Sequence, residues 1–248
     1  MKKIAIMMCL LIAVSFVSAQ SELTEIQKTL KATNATWTAG PNQFSRMSPI
    51  DQEKIMGLLP GIQDVRGLPA ETIVRPSRAL PTKFMAKHTP VKNQGSCGSC
   101  YSFGASACYE GYHLNKGSRY DLSEQWFMMK AKAIGPAGGC RGWYLDTSMN
   151  LMQNHGVANE SDCPYKASES ACPSSAKAKH KIAGWARTTD ATTIKNALMR
   201  SGPVYVGFAV YSDFSYYKTG VYRYSSGYRR GYHAVAIVGW DDNLKAWR

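Results

Sequence analysis

Two cysteines three residues apart, set among small residues, constrain this chain more than any other feature. They lie in the run from Gln94 to Cys100 (QGSCGSC), which leads into residues 99–114, where apolar and small residues have helical spacing. A Cys-x-x-Cys spacing is typical of a redox pair, of half a zinc site, or of two cysteines with separate roles. The three interpretations differ in what the rest of the chain must supply.

A zinc site needs a second pair of ligands at a matching short spacing. Cys163 and Cys172 are nine residues apart, which disfavours zinc. A redox pair of the thioredoxin type follows a strand in a βαβ unit, and the sequence before Cys97 shows no such unit. The third interpretation is therefore favoured, and we expect neither a metal nor a cofactor.

The third interpretation makes Cys100 a nucleophile. It lies at the first turn of the predicted helix, where the positive end of the helix dipole favours thiolate over thiol. The working form of such a site is a thiolate–imidazolium pair. Of the five histidines, only His233 adjoins a strongly β-forming apolar run, which is a rigid mount for a catalytic group. The other four are predicted to be surface or core residues: His88, His113, His155 and His180.

Helical patterns dominate the first part of the chain and strand patterns the last part. Further helices are predicted at Ser21–Leu30, Ser48–Leu59, Leu122–Ala133, Leu145–His155 and Thr192–Ser201. Strands are predicted at Val204–Val210, Gly220–Tyr222 and His233–Trp240. This order predicts an α+β fold with two packed lobes.

The first nineteen residues have the pattern of a signal peptide. Lys2 and Lys3 precede an apolar run, and small residues suited to cleavage come just before Gln20. The run is shorter than the roughly 20 residues that span a bilayer. We therefore expect residues 1–19 to be removed, the protein to enter the secretory pathway, and no later segment to span a membrane.

Residues 20–78 contain no cysteine and have a different character from the remainder. Their two short predicted helices have no shared core, so we expect this segment to pack on another part of the protein. The stretch Gly67–Pro81 carries three prolines and has the pattern of an extended linker that proteases cleave readily.

The formal net charge of +13 raises the question of nucleic-acid binding. The basic residues are scattered, however, and no nucleic-acid-binding motif accompanies them. We expect no nucleic-acid partner, and interpret the charge as favouring solubility or attraction of substrates.

Five segments together resemble the papain and cathepsin family of cysteine proteases, in the family's order. They are Gln94–Cys100, Gly202–Val204, Tyr211–Phe214, Gly220–Tyr222 and His233–Trp240. The likeness extends from about Leu80 to Trp240. It implies a papain-like two-lobe fold, with a helical left lobe and a β-barrel-like right lobe. It also implies hydrolysis of peptide bonds through an acyl-enzyme.

The resemblance implies a role for each matching residue. Cys100 would attack the scissile carbonyl, and His233 would accept the thiol proton and later protonate the leaving amine. The side-chain amide of Gln94 and the backbone N–H of Cys100 would form the oxyanion hole. Substrate would bind along Gly142, Trp143 and Tyr232.

Two aromatic residues depart from the family pattern. Trp143 stands where the family has a glycine that lets the substrate backbone approach, and Tyr101 replaces the tryptophan usual after the nucleophile.

The resemblance also bears on the remaining cysteines. It implies a bridge between Cys97 and Cys140, and a local bridge between Cys163 and Cys172 is compatible with it. Cys108, eight residues after the nucleophile, is then predicted to be a buried free thiol.

The N-terminal segment resembles the short propeptide of cathepsin B-like precursors through Asn34–Gly40 and Phe44–Ser48. Such propeptides lie in the cleft and keep the zymogen silent. We thus expect a propeptide at 20–78 and a peptidase domain at 79–248. The family pattern continues with Asn-Ser-Trp-Gly just past Arg248, so we expect the sequence to be C-terminally incomplete.

The implied partners are protein or peptide substrates, the chain's own propeptide and cystatin-like inhibitors, with a monomer acting in a lysosome, in a vacuole or outside the cell. Cathepsin B carries a loop with paired histidines that gives carboxydipeptidase activity. Residues 163–180 lack such a pair, so endopeptidase cleavage is predicted. Two alternatives stay open: a catalytically silent homologue that binds peptides or serves a structural role, and a disulfide-stabilised extracellular binding module.

Overall fold

A computed structural model describes residues 20–61 and 79–248 of the chain. The predicted signal peptide and most of the proline-rich linker lie outside these residues. The chain divides into two compact units. The first combines the residues through Glu53 with Ala209–Gly231, and the second combines Lys54–Phe208 with Tyr232–Arg248.

The first unit is built on helix α1, which covers residues 20–32. The apolar face of α1 packs on two aromatic residues of this unit, Trp37 and Tyr216. Strand β1 (Trp37–Ala39) pairs antiparallel with β4 (Tyr217–Gly220). The apolar face of α1 is thus buried against residues that are distant in sequence. The sequence pattern predicted that this segment packs on another part of the protein.

Helix α2 is shorter than its pattern predicts, because it covers Pro49–Lys54 instead of extending to Leu59. Ser48 caps it, with Oγ accepting a 3.2 Å hydrogen bond from the backbone N–H of Asp51. The chain then leaves the helix, and the side chain of Leu58 is buried in the core cluster of the second unit. Burial in that core outweighs continuation of the helix, since apolar periodicity does not specify which partner buries a residue.

The helices of the second unit follow the predicted order: α3 (Cys100–Asn115), α4 (Glu124–Ile134), α5 (Leu145–Asn154) and α6 (Ala191–Ser201). Side chains cap two of them, since Ser123 accepts from Trp126 N and Asp190 accepts from Thr193 N. Gly156, with φ of +77°, follows the end of α5. Helix α3 contacts both α4 and α5, and all three contribute to one apolar core.

The described strands form three small sheets. The first is the β1–β4 pair; β2 (Lys83–Met85), β6 (Gly239–Asp241) and β7 (Ala246–Trp247) form the second, and β3 (Val204–Tyr211) and β5 (Arg229–Ile237) the third. Two predicted strands are corrected: β4 ends at Gly220 rather than covering Gly220–Tyr222, and His233–Trp240 is divided between β5 and β6. Gly220, the last residue of β4, has φ of +101°, so the chain leaves the extended conformation there. The mixture of helices and sheets confirms the α+β prediction.

Three carboxylates, two of them buried, surround Lys92 shortly before the cysteine run. Its Nζ lies 3.0 Å from Glu110, 2.7 Å from Asp121 and 2.9 Å from Glu124. Burial alone would lower the pKa of Lys92, but the carboxylates of Glu124 and Glu110 outweigh it and raise that pKa above its ordinary value. The cluster ties the segment before Gln94 to α3 and α4. Among the residues described, no helix is both long enough and apolar enough to cross a membrane.

Candidate active site

Cys100 is the first residue of α3 and is fully buried. The backbone N–H of Ala234 donates to its Sγ at 3.4 Å, and the backbone N–H of Gly57 also bonds to the sulfur. Burial raises the pKa of the Cys100 thiol to about 11, although these backbone donors act in the opposite direction. The thiol is therefore protonated at neutral pH in this state.

His233 lies in β5 directly before the residue that donates to Cys100. Its ring packs edge-on against Phe208, with centroids 6.1 Å apart, and its Nδ1 is buried without a hydrogen-bond partner among the described residues. Burial lowers the pKa of His233 to about 4, against the effect of a hydrogen bond with the Ile55 backbone. The expected thiolate–imidazolium pair is thus replaced here by two neutral groups.

The side-chain amide of Gln94 is the predicted oxyanion donor. Its Nε2 donates to the backbone carbonyl of Ile55 at 3.0 Å and to that of Cys97 at 2.8 Å. The amide therefore lies beside the nucleophile, and a main-chain carbonyl already occupies its donor.

Residues 55–59 of the N-terminal segment lie between two strands of backbone that were predicted to bind substrate. Trp143 N donates to Gly57 O at 3.0 Å, and Leu59 N donates to Trp143 O at 3.0 Å. On the other side, Leu58 N donates to Tyr232 O at 3.3 Å. The segment therefore adds a short strand at the predicted substrate position.

Two glycines permit this close approach. Gly142 has φ of +90°, and a Cβ there would lie 2.8 Å from the carbonyl oxygen of Gly57. A Cβ on Gly57 itself would lie 1.9 Å from the carbonyl oxygen of Gly98. Any side chain at either position would separate the backbones.

Trp143 does not obstruct the substrate position, although it replaces a glycine of the family pattern. Its indole is 4% exposed and packs in the core beside Tyr101, with ring centroids 6.3 Å apart. Gly135 and Gly138 make room for the ring, since a Cβ on either would lie within 3 Å of it. Within the described part of the chain, only the main chain of Trp143 forms hydrogen bonds with the bound segment, and its indole Nε1 is buried without a partner there.

The side chain of Leu58 occupies a recess formed in part by Gly207. A Cβ on Gly207 would lie 2.2 Å from Cδ2 of Leu58 and 3.3 Å from Cδ1 of Leu145. The missing side chain at position 207 therefore gives the recess the depth that a leucine needs.

The cysteines pair as Cys97–Cys140 and Cys163–Cys172. Cys108 is free, and burial raises the pKa of its thiol above the ordinary value. No group of three or more potential metal ligands occurs in the described part of the chain.

Sequence reasoning missed several residues that surround the nucleophile. Ile55, Gly57 and Leu58 were assigned to the end of a helix, and Tyr165 was not singled out at all. The available signal was Gly57, because a glycine inside an apolar helical pattern weakens that pattern and often marks a close backbone approach.

Comparison with known proteins identifies the family. Residues 80–247 match the papain family cysteine protease profile. The chain is 33% identical over 185 residues to "Cysteine proteinase 1" of Entamoeba histolytica, covering 70% of this chain. It is 31% identical over 171 residues to "Gamete and mating-type specific protein A" of Dictyostelium discoideum, covering 68% of this chain.

A solved structure has the same fold. The "proCathepsin B S9 from Trypanosoma congolense" superposes with a TM-score of 0.77 at 20% sequence identity, covering 88% of this chain and 82% of that one. This chain spans 58% and 38% of the lengths of the Entamoeba and Dictyostelium relatives. The matched residues contain Gln94, Cys100 and His233, and the fold is that of a protease precursor. The chain therefore belongs to the papain family of cysteine proteases.

Proposed function

We propose that this protein is the precursor of a cysteine endopeptidase, with Cys100 as nucleophile, His233 as base and Gln94 as oxyanion donor. The observation that carries the proposal is the position of residues 55–59. A strand of backbone lies on Gln94, Cys100 and His233 together and is hydrogen-bonded on both sides. A surface that holds one extended peptide in this way suits another of similar chemistry.

The bound segment explains how the precursor stays silent. The part of the segment that bonds to the Cys100 sulfur is the N–H of Gly57, which offers no carbonyl carbon for a thiolate to attack. The Ile55 carbonyl engages the Gln94 amide, and burial keeps both Cys100 and His233 neutral. In the proposed domain division, residues 20–78 are the propeptide and residues 79–248 the peptidase domain, with residues 1–19 a signal peptide.

Departure of the segment would expose all three groups to water. Helix α3 then favours the Cys100 thiolate, and His233 accepts the proton. The sulfur attacks a substrate carbonyl carbon, and the resulting oxyanion accepts hydrogen bonds from Gln94 Nε2 and Cys100 N–H. His233 protonates the leaving amine, and water attacks the thioester to release the acid and regenerate the thiol.

The recess around Leu58 favours substrates with a leucine-sized apolar residue at the matching position. We propose protein or peptide substrates, a monomeric enzyme, cystatin-like inhibitors as further partners, and a secretory route to a lysosome, a vacuole or the cell exterior. We propose no nucleic-acid partner, because the basic residues are scattered along the chain.

The test uses the full-length precursor, before and after limited proteolysis between Gly67 and Pro81. The substrate is a fluorogenic peptide amide with leucine at the position proposed to enter the recess. We expect turnover only after cleavage, and covalent labelling of Cys100 by a peptidyl epoxide. Cys100→Ser should abolish both, whereas the matched thiol variant Cys108→Ser should retain them.

Two outcomes would change the proposal. A cleaved protein that neither turns over peptides nor reacts with the epoxide at Cys100 is a silent homologue that binds peptides or serves a structural role. Release of C-terminal dipeptides as the main product from a longer peptide contradicts endopeptidase action.

A further inference from the structure

Tyr165 links the predicted oxyanion donor to the start of the nucleophile helix. Its hydroxyl donates to the backbone carbonyl of Gln94 at 2.7 Å and shares a 2.6 Å hydrogen bond with Oγ of Ser99. Ser99 is the N-cap residue of α3 and directly precedes Cys100. One phenol group therefore contacts two residues of the cysteine run, Gln94 at its start and Ser99 next to the nucleophile.

The peptide group that Tyr165 holds precedes a glycine, and its N–H donates to Oδ1 of Asn93 at 2.9 Å. The Gln94 carbonyl belongs to the bond between Gln94 and Gly95, and Gly95 has φ of +59°. Glycine has the widest conformational freedom of any residue, so the peptide group between Gln94 and Gly95 could rotate. Such a rotation would displace the Gln94 side chain. A hydrogen bond to this carbonyl removes that freedom where the oxyanion donor begins.

Tyr165 is itself held in place by a ring contact and by a hydrogen bond of its backbone. Phe103 packs against it edge to face, with centroids 4.8 Å apart and planes at 88°. The backbone N–H of Tyr165 donates to Glu160 at 2.7 Å. The hydroxyl therefore occupies a fixed position, which is what a positioning group requires.

Other side chains anchor the disulfide loop that carries Tyr165. Gln125, fully buried in α4, donates to Ser168 O at 2.8 Å and to Ser170 O at 2.7 Å, and accepts from Lys166 N at 3.0 Å. Glu169 accepts from Cys140 N at 3.0 Å. The Cys163–Cys172 bridge closes the loop. Removal of the Tyr165 hydroxyl would therefore leave the loop in place.

We propose that Tyr165 is a positioning residue for the oxyanion donor Gln94, acting through the Gln94 carbonyl and Ser99. The inference rests on the proposed function of Gln94. It predicts that the Tyr165 hydroxyl affects turnover through Gln94 and does not affect the nucleophilicity of Cys100.

The test is a double-mutant cycle in the cleaved enzyme, with Tyr165→Phe, Gln94→Ala and their combination. Removing an oxyanion donor costs roughly 10²–10³-fold in kcat, and we expect Tyr165→Phe to cost about 10-fold with little change in KM. In the Gln94→Ala background the Tyr165→Phe change should have almost no effect. Alkylation of Cys100 by iodoacetamide, which forms no oxyanion, should proceed at the wild-type rate.

Tyr109→Phe is the matched control, because Tyr109 lies on the same helix as Cys100. The substitution removes a partly buried hydroxyl that lies 3.4 Å from Nδ1 of His180. It should leave kcat unchanged. Equal losses from Tyr165→Phe in both backgrounds, or an equal loss from Tyr109→Phe, would overturn the proposal in favour of a general structural effect.

Hydrogen exchange of residues 94–99 gives a second measurement that does not depend on activity. Tyr165→Phe should speed exchange there, and Tyr109→Phe should not. If the wild-type protein neither hydrolyses peptides nor labels at Cys100, the proposed function fails, yet the exchange experiment still decides the position of Gln94. Unchanged exchange in Tyr165→Phe refutes the positioning role.

Discussion

The backbone carbonyl of Ile55 accepts a 3.0 Å hydrogen bond from Nε2 of Gln94. The donor proposed for the transition-state oxyanion is thereby occupied by a group of the chain itself. Because the neighbouring Gly57 N–H bonds to the Cys100 sulfur, the segment uses the binding groups of the site without offering it a carbonyl to attack.

The first prediction concerns the pH dependence of Cys100 alkylation. With the segment in place, burial raises the thiol pKa to about 11, so the thiolate fraction at pH 7 is about 10⁻⁴. The iodoacetamide reaction of Cys100 in the intact chain should therefore quicken about tenfold per pH unit towards pH 11. In the cleaved protein it should be nearly flat through neutral pH, because the ion pair already supplies thiolate. Mass spectrometry of the Cys100 peptide measures both profiles, and identical profiles would contradict the prediction.

Gly57→Ala should weaken the hold of the segment. The added Cβ would lie 1.9 Å from the Gly98 carbonyl oxygen, so the segment must move away from the nucleophile. An overpacking cost of about 1–3 kcal/mol corresponds to roughly 5- to 150-fold faster alkylation of Cys100 in the intact chain at pH 7. Gly184→Ala is the control, since its Cβ would meet nothing within 4 Å. Equal rates in the two variants would show that residue 57 does not restrict the site.

Gly207→Ala should alter substrate preference. Its Cβ would occupy the place of the Leu58 methyl group. A substrate leucine at that position should therefore fit less well, whereas the fit of an alanine should not change. We expect the ratio of kcat/KM for leucine over alanine peptides to fall about tenfold, the usual effect of one carbon in an apolar pocket. Measurement on two matched peptide amides tests this, with Gly184→Ala again as control. A ratio that stays constant would remove residue 207 from the recess.

Trp143→Ala should destabilise the protein. The indole is 4% exposed in the core, and loss of such a side chain costs about 3–5 kcal/mol in the free energy of unfolding. Trp247→Ala, at a residue that is 42% exposed, should change stability little. Denaturant unfolding compares the two variants. Similar midpoints would mean that the Trp143 ring is not a core residue.

Lys92→Met should also destabilise, for an electrostatic reason. The side chains of Glu110 and Glu124 are 1% and 2% exposed, so without Lys92 their charges are buried and uncompensated. Removal of one partner of such a pair costs about 3–5 kcal/mol. The loss should shrink as the pH falls, because burial raises the pKa of the Glu124 carboxyl and its protonation removes one of the two buried charges. Lys28→Met, at an exposed pair with Glu25, serves as the control in the same unfolding assay.

The helices of the second unit were predictable because their signals are local. Ser123 and Asp190 cap α4 and α6 within two residues of the starts predicted at Leu122 and Thr192, and Gly156 follows the end of α5. The α2 prediction was wrong past Lys54, because Leu58 fits a helical period equally well when it is buried elsewhere. Trp143 presented a similar ambiguity, since its residue type does not reveal that the indole turns into the core.

The sequence by itself determined the family, the order of the helices, and the residues proposed for the chemistry, because these depend on short motifs and local periodicity. Only the tertiary structure decided that residues 55–59 cover Gln94, Cys100 and His233. It also decided that the Tyr165 hydroxyl donates to the Gln94 carbonyl. Those contacts join residues from 39 to 134 positions apart. They exist only once the chain has folded, since distant backbone groups then find partners that no local pattern specifies.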